Sequence, residues 1–103
     1  MVKIINNSVC RGVAGARATA KPKGVVIHNT ADNATAEQHM NRLAGMSTSA
    51  LAAGFAHYFI DENTIIRTED TFNMAWHTAN ADGNANYVGY EVCRSTGTQA
   101  AFL

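Results

Sequence analysis

The sequence predicts an α/β domain, a mixed central β-sheet flanked by helices. Three observations carry that expectation. Residues 25–27 are a β-branched run, Val-Val-Ile, set between Gly24 and a polar loop. Thr35 to Gln38 has the spacing of a helix capping box and opens an apolar pattern of helical period. Residues 57–60, 64–67 and 87–93 are β-rich, and strands interleaved with helices in this way build layered sheets.

Each element follows from local chemistry. Residues 25–27 read as a buried strand, which puts His28 at a strand's carboxyl end before the loop Asn29 to Asn33. The capping box predicts a helix of about 11 residues from near Thr35 to near Gly45, carrying Met40, Leu43 and Ala44 on one side. Residues 47–54 are a weaker helical or irregular piece, rich in alanine and ended by Gly54. Residues 57–60 and 64–67 form a hairpin around Asp61, Glu62 and Asn63, with Asn63 suited to a left-handed turn position. Residues 80–86 read as a polar loop of Asn, Ala and Gly. In the strand that follows, period two places Val88, Tyr90 and Val92 on one face and Gly89, Glu91 and Cys93 on the other.

Composition bounds the function. Eight Lys plus Arg balance eight Asp plus Glu over 103 residues, so no nucleic-acid partner is expected. Eighteen alanines make the core poorer in area than 47% apolar residues suggests. The whole chain, 1–103, is expected to be one domain, with residues 1–23 a basic extended arm. Lys3, Arg11, Arg17, Lys21 and Lys23 lie there, whereas every acidic residue follows Ala31. The arm is expected to wrap an edge of the fold with its charges solvated, a contact with an anionic polymer being the alternative. No apolar run approaches the roughly 20 residues of a membrane span, so no membrane partner is expected. The N-terminus lacks the pattern of a signal peptide, which predicts a chain kept in the cytoplasm or released without the general secretory route. Cys10 and Cys93 match no metal or redox spacing and are expected to be reduced thiols.

Four histidines and one strand carboxylate could carry chemistry. His39, inside the first helix, is on no ligand spacing and reads as a surface or boundary residue. His28 stands where layered sheets place ligands, beyond a strand's carboxyl end, although a core histidine is the alternative. His57 opens a strand, and His77 follows Trp76 in a stretch of no clear period, where core packing competes with a site. Glu91 is costly to bury in an apolar strand unless it is paired or used, or unless its strand is an edge with the carboxylate in water. No nucleophile elbow, phosphate loop, HExxH helix or CxxC pair is present, so these residues point to a metal hydrolase if to any enzyme.

Four segments together carry a resemblance. Residues 24–31 (GVVIHNTA), 56–61 (AHYFID), 75–77 (AWH) and 88–92 (VGYEV) resemble, in family order, the zinc-dependent N-acetylmuramoyl-L-alanine amidases of the type 2 family. That family includes bacteriophage endolysins, bacterial autolysins and animal peptidoglycan recognition proteins. The resemblance implies that His28 is a zinc ligand and Glu91 the general base beside the metal-bound water. It implies that His57 lies near the metal and steadies the tetrahedral intermediate, and that Trp76 and His77 line the substrate groove. The substrate implied is peptidoglycan, cut at the amide between the muramic acid lactyl group and L-alanine.

The start of the chain and the absent signal look most like a phage endolysin from a Gram-positive host. Such an enzyme waits in the host cytoplasm for a holin and then acts on the cell wall. The family completes its zinc site with a histidine and an aspartate or cysteine further downstream. Here residues 98–103 look like the intervening helix stopped in its first turns. The resemblance therefore implies an enzyme truncated at its C-terminus, with an uncovered apolar face through which chains could associate. A muropeptide-binding module that does not cleave is the alternative, and a site made by His28, His57 and His77 alone is a further one.

Overall fold

The computed structural model describes residues 2–18 and 21–93. Five strands form one sheet: β1 (Lys3–Asn6), β2 (Gly24–Asn29), β3 (Tyr58–Ile60), β4 (Thr64–Arg67) and β5 (Tyr87–Val92), in the spatial order β1, β4, β3, β5, β2. The β3–β4 hairpin is antiparallel and every other neighbouring pair is parallel, so the sheet is mixed, as the sequence predicts. Helix α1 (Ala36–Ala44) packs across β3 and β4, and α2 (Ala81–Asn86) leads directly into β5. Because β2, β3 and β5 run the same way, their carboxyl ends open on one side of the sheet.

Helix α1 is set by its sequence. Thr35 Oγ1 accepts from the Gln38 amide at 3.1 Å, and Gln38 Oε1 accepts from the Thr35 amide at 2.8 Å. Gly45 follows its last residue. The Ala36 amide donates to Asp61 Oδ2 at 2.8 Å, which ties the helix start to the hairpin loop. Asp61 Oδ1 also accepts from the amides of Asn63 and Thr64, so this carboxylate shapes the turn. Asn63 is not left-handed: among the described residues other than glycine, only Arg11 and Ala31 have positive φ. Residues 50–53 form a single turn of 3-10 helix.

Two expectations are corrected. Residues 80–86 are not a loop, because Asn80 Oδ1 caps the Gly83 amide at 3.1 Å and starts α2. Asn84 Oδ1 then holds the chain before it, accepting from the amides of His77 and Thr78 at 3.0 and 2.8 Å. Tertiary bonds thus stabilise a helix that its composition disfavours. Strand β2 is not buried on both faces. It lies at the sheet edge, with Val25 48% and Ile27 70% exposed, while Val26 and His28 turn inward.

The core lies between the sheet and α1, where Leu43, Leu51, Phe55, Phe59 and Ile66 are buried. Cys10 and Cys93 are free, buried thiols, and burial pushes each up to about 12. Strand β1, which the sequence reading leaves inside the arm, pairs with β4 at the other edge. Farther along, Arg17 is not solvated. It is 8% exposed and donates to the carbonyls of Thr71, Ala85 and Tyr87 at 2.7 to 3.0 Å. Among the described residues no helix is long and apolar enough to cross a membrane.

The contrast between the two sheet regions is measurable. Ile66→Ala, in the core, should cost about 2 to 5 kcal/mol, and Ile27→Ala, on the exposed edge, less than about 0.5. Urea denaturation of the two variants checks this, and equal losses would place β2 inside the core.

Candidate active site

Register brings the inner-face side chains together. Glu91 on β5 lies opposite His28 on β2 and Phe59 on β3. A cavity of about 530 Å³ opens beside them, and Glu91, Phe59, Trp76, His77, His39 and Arg42 are among its walls. Phe55 braces Trp76 edge to face, with ring centres 5.8 Å apart, and the Phe55 amide donates to the Trp76 carbonyl at 2.8 Å.

Glu69 and Glu91 are both withdrawn from solvent to different degrees, and their surroundings separate their roles. Glu69 is buried and accepts from the amides of Gly12 and Asp70 and from Asn73 Nδ2 at 2.7, 2.9 and 3.3 Å. Those donors make it a clamp on the chain's first turns. Glu91 is half-buried, faces the cavity and takes no hydrogen bond from any described residue. Burial raises its pKa above the usual carboxylate value, and His28 across the register opposes the shift. An unpartnered carboxylate with raised basicity in a cavity is suited to accept a proton.

The histidines divide in the same way. His28 Nε2 lies 3.1 Å from His77 Nδ1, and His77 Nε2 donates to the Tyr87 carbonyl at 3.2 Å. His77 lies on the cavity wall, and burial lowers its pKa. His57 does not reach the cavity. It is 0% exposed beneath His77, accepts the Gly89 amide on Nδ1 at 3.0 Å and donates from Nε2 to the Asn73 carbonyl at 2.8 Å. Burial, reinforced by Arg17, pushes its pKa down to about 4, so the ring is neutral at pH 7. A fully enclosed ring cannot touch a reacting atom, so His57 supports the site from below.

His39 is not the surface or boundary residue that the sequence predicts. It is buried, stacked on Phe59 with ring centres 5.0 Å apart, and bracketed by Asp32 Oδ1 and Arg42 Nη2, each at 3.1 Å. The signal was available: Ala36, His39 and Leu43 are spaced three and four apart, which puts His39 on the buried stripe of α1.

A catalytic zinc normally has three protein ligands. Among the described residues no three His, Cys, Asp or Glu side chains are grouped to hold a metal ion, and residues 94–103 contain none of these types. His28 is a suitable single donor, but the set in this chain does not make a zinc site.

The parallel strands thus set an unpartnered glutamate across from paired histidines at one cavity. The chain belongs to the N-acetylmuramoyl-L-alanine amidase family, whose model matches residues 18–102. It is 37% identical over 83 residues to endolysin PlyTW of Staphylococcus phage Twort, covering 80% of this chain and 18% of that protein. It is 30% identical over 99 residues to N-acetylmuramoyl-L-alanine amidase CwlA of Bacillus subtilis, covering 91% and 35% respectively. The solved structure of a mutant endolysin from Bacillus subtilis superposes with a TM-score of 0.73 at 29% identity, over 98% of this chain and 68% of that one. The chain thus spans a minor part of the curated relatives it matches.

The state of His57 has a consequence for stability. Its folded pKa of about 4 lies below the ordinary 6.5, so the unfolded chain binds the proton more readily. Its contribution is complete above pH 6.5 and is lost as pH falls towards 4, a change on the order of 3 kcal/mol. Urea midpoints should therefore fall more steeply with acid in the wild type than in His57→Gln. Parallel pH profiles for the two proteins would show that His57 is not buried as the neutral ring.

Proposed function

We propose that this chain carries the glutamate-bearing part of a peptidoglycan amidase, one that hydrolyses the amide between the muramic acid lactyl group and L-alanine. The observation that carries the reading is Glu91: half-buried, unpartnered, raised in pKa and on the wall of a cavity with an aromatic side. In this reading the Glu91 carboxylate takes a proton from the attacking water as the new C–O bond forms. It then returns that proton to the departing nitrogen as the C–N bond breaks. The products are the lactyl carboxylate and a free L-alanine amino group. Trp76 offers its ring to a sugar or the stem peptide, and His77 lines the same wall.

His28 is proposed as one ligand of a zinc ion, the remaining ligands coming from outside this sequence. When bound, such an ion supplies Lewis acidity to the scissile carbonyl and to water. The similarity to phage endolysins supports a lysis role at the bacterial cell wall, after holin-dependent release from the host cytoplasm. A second reading, binding of muropeptides without cleavage, is favoured by the incomplete donor set.

Purified cell walls discriminate the two. With zinc supplied, a longer polypeptide containing this chain should release new L-alanine amino termini, and Glu91→Gln in it should lower the rate by about 10² to 10⁴. Sedimentation with walls and no new termini would favour binding alone. Undiminished cleavage by Glu91→Gln would remove Glu91 from the chemistry.

A further inference from the structure

We propose that His77 is a positioning residue: it fixes the tautomer of His28, so that His28 carries its proton on Nε2 and keeps a bare lone pair on Nδ1. The inference deepens the function proposed above and rests on its assignment of His28 to the site. It follows from the direction of two hydrogen bonds. A carbonyl oxygen only accepts, so the 3.2 Å contact of His77 Nε2 with the Tyr87 carbonyl puts the His77 proton on Nε2. A neutral imidazole has one N–H, so His77 Nδ1 is an acceptor. The atom 3.1 Å from it is His28 Nε2, which must donate. That is the one hydrogen bond the His28 ring makes among the described residues, so its Nδ1 is left free.

The fold holds His77 in this pose from three sides. Asn84 Oδ1 accepts its backbone amide at 3.0 Å. The ring of His57 stands edge to face below it, with centres 5.9 Å apart. Gly89 supplies the space: a Cβ there would lie 2.6 Å from His77 Cγ and 2.7 Å from its Nδ1, so no other residue at 89 leaves the ring in place. A histidine that merely filled space would need none of this direction in its hydrogen bonds. A histidine that binds a metal or accepts a proton must present one bare nitrogen, and the bond on the opposite nitrogen decides which.

The test is the nitrogen spectrum of the ¹⁵N-labelled, metal-free chain, recorded above the titration range of imidazole by long-range ¹H–¹⁵N correlation. His28 should show a protonated Nε2 and an unprotonated Nδ1. His77→Ala and Gly89→Ala should each convert His28 to a mixture of tautomers, while His77→Asn, whose Oδ1 can take the acceptor position, should restore the wild-type pattern. A wild-type His28 protonated on Nδ1, or an unchanged tautomer in folded His77→Ala, would overturn the proposal. Should either alanine variant fail to fold, the wild-type spectrum and His77→Asn decide. None of these readouts depends on cleavage. Intact cell walls alongside a His28 protonated on Nε2 would count against the amidase reading and leave this assignment standing.

Discussion

The amide of Gly89 decides the tautomer of His57, the buried ring packed against His77. It donates to His57 Nδ1 at 3.0 Å, while the His57 amide donates to the Gly89 carbonyl at the same distance. With Nδ1 occupied as an acceptor, the His57 proton sits on Nε2 and goes to the Asn73 carbonyl. One glycine thus joins β5 to the start of β3 and to the loop that carries Trp76 and His77. Arg17 Nη2 also lies 3.0 Å from His57 Nε2, but both atoms carry protons, so that contact is not a hydrogen bond. It opposes protonation of the imidazole, and the guanidinium satisfies itself on three carbonyls instead.

Magnitudes show which polar interactions matter. The Lys3–Glu37 pair is 3.4 Å apart with both side chains largely in water, and such a pair contributes about 0 to 1 kcal/mol. Enclosing a neutral His57 is a larger effect, because its proton must be kept off throughout the physiological range. Glu69 and Glu91 differ for the same reason. Three donors compensate the burial of Glu69, so it is spent on structure. Glu91 is left under-compensated, and its discomfort is what raises its basicity.

Local chemistry made α1, the hairpin and β5 legible. The capping box at Thr35 and Gln38, the Asp61 turn and the alternation from Tyr87 onward each act over a few residues. Long-range pairing was not legible: nothing near Lys3 announces that β1 will add to β4, and an apolar run such as residues 25–27 reads alike at an edge or in a centre. Helix α2 was hidden because its stability comes from Asn84 reaching back to His77 and Thr78. For the site, the family segments named His28, His57, Trp76, His77 and Glu91, but only the structure shows His57 enclosed against His77. The burial of His39 is legible in the spacing of Ala36, His39 and Leu43 along α1.

The closeness of His28 and Glu91 depends on strand register more than on either side chain. In a strand, a slip of one residue exchanges the faces. Here it would put Tyr90 against the cavity and send Glu91 to the side where Val25 and Ile27 are exposed. Several contacts hold the pairing in step. The Lys23 amide donates to the Asn86 carbonyl at 2.6 Å before the paired segment, and the Thr30 amide donates to the Val92 carbonyl at 3.2 Å after it. Gly24 lies against the Tyr87 ring, where a Cβ would be 3.4 Å from its edge. In the middle, the Gly89 amide is committed to His57, and a shift by one residue would offer the imidazole a different amide while pressing a side chain into the place of His77. The buried His57 thus adds to the contacts that keep the glutamate facing the cavity.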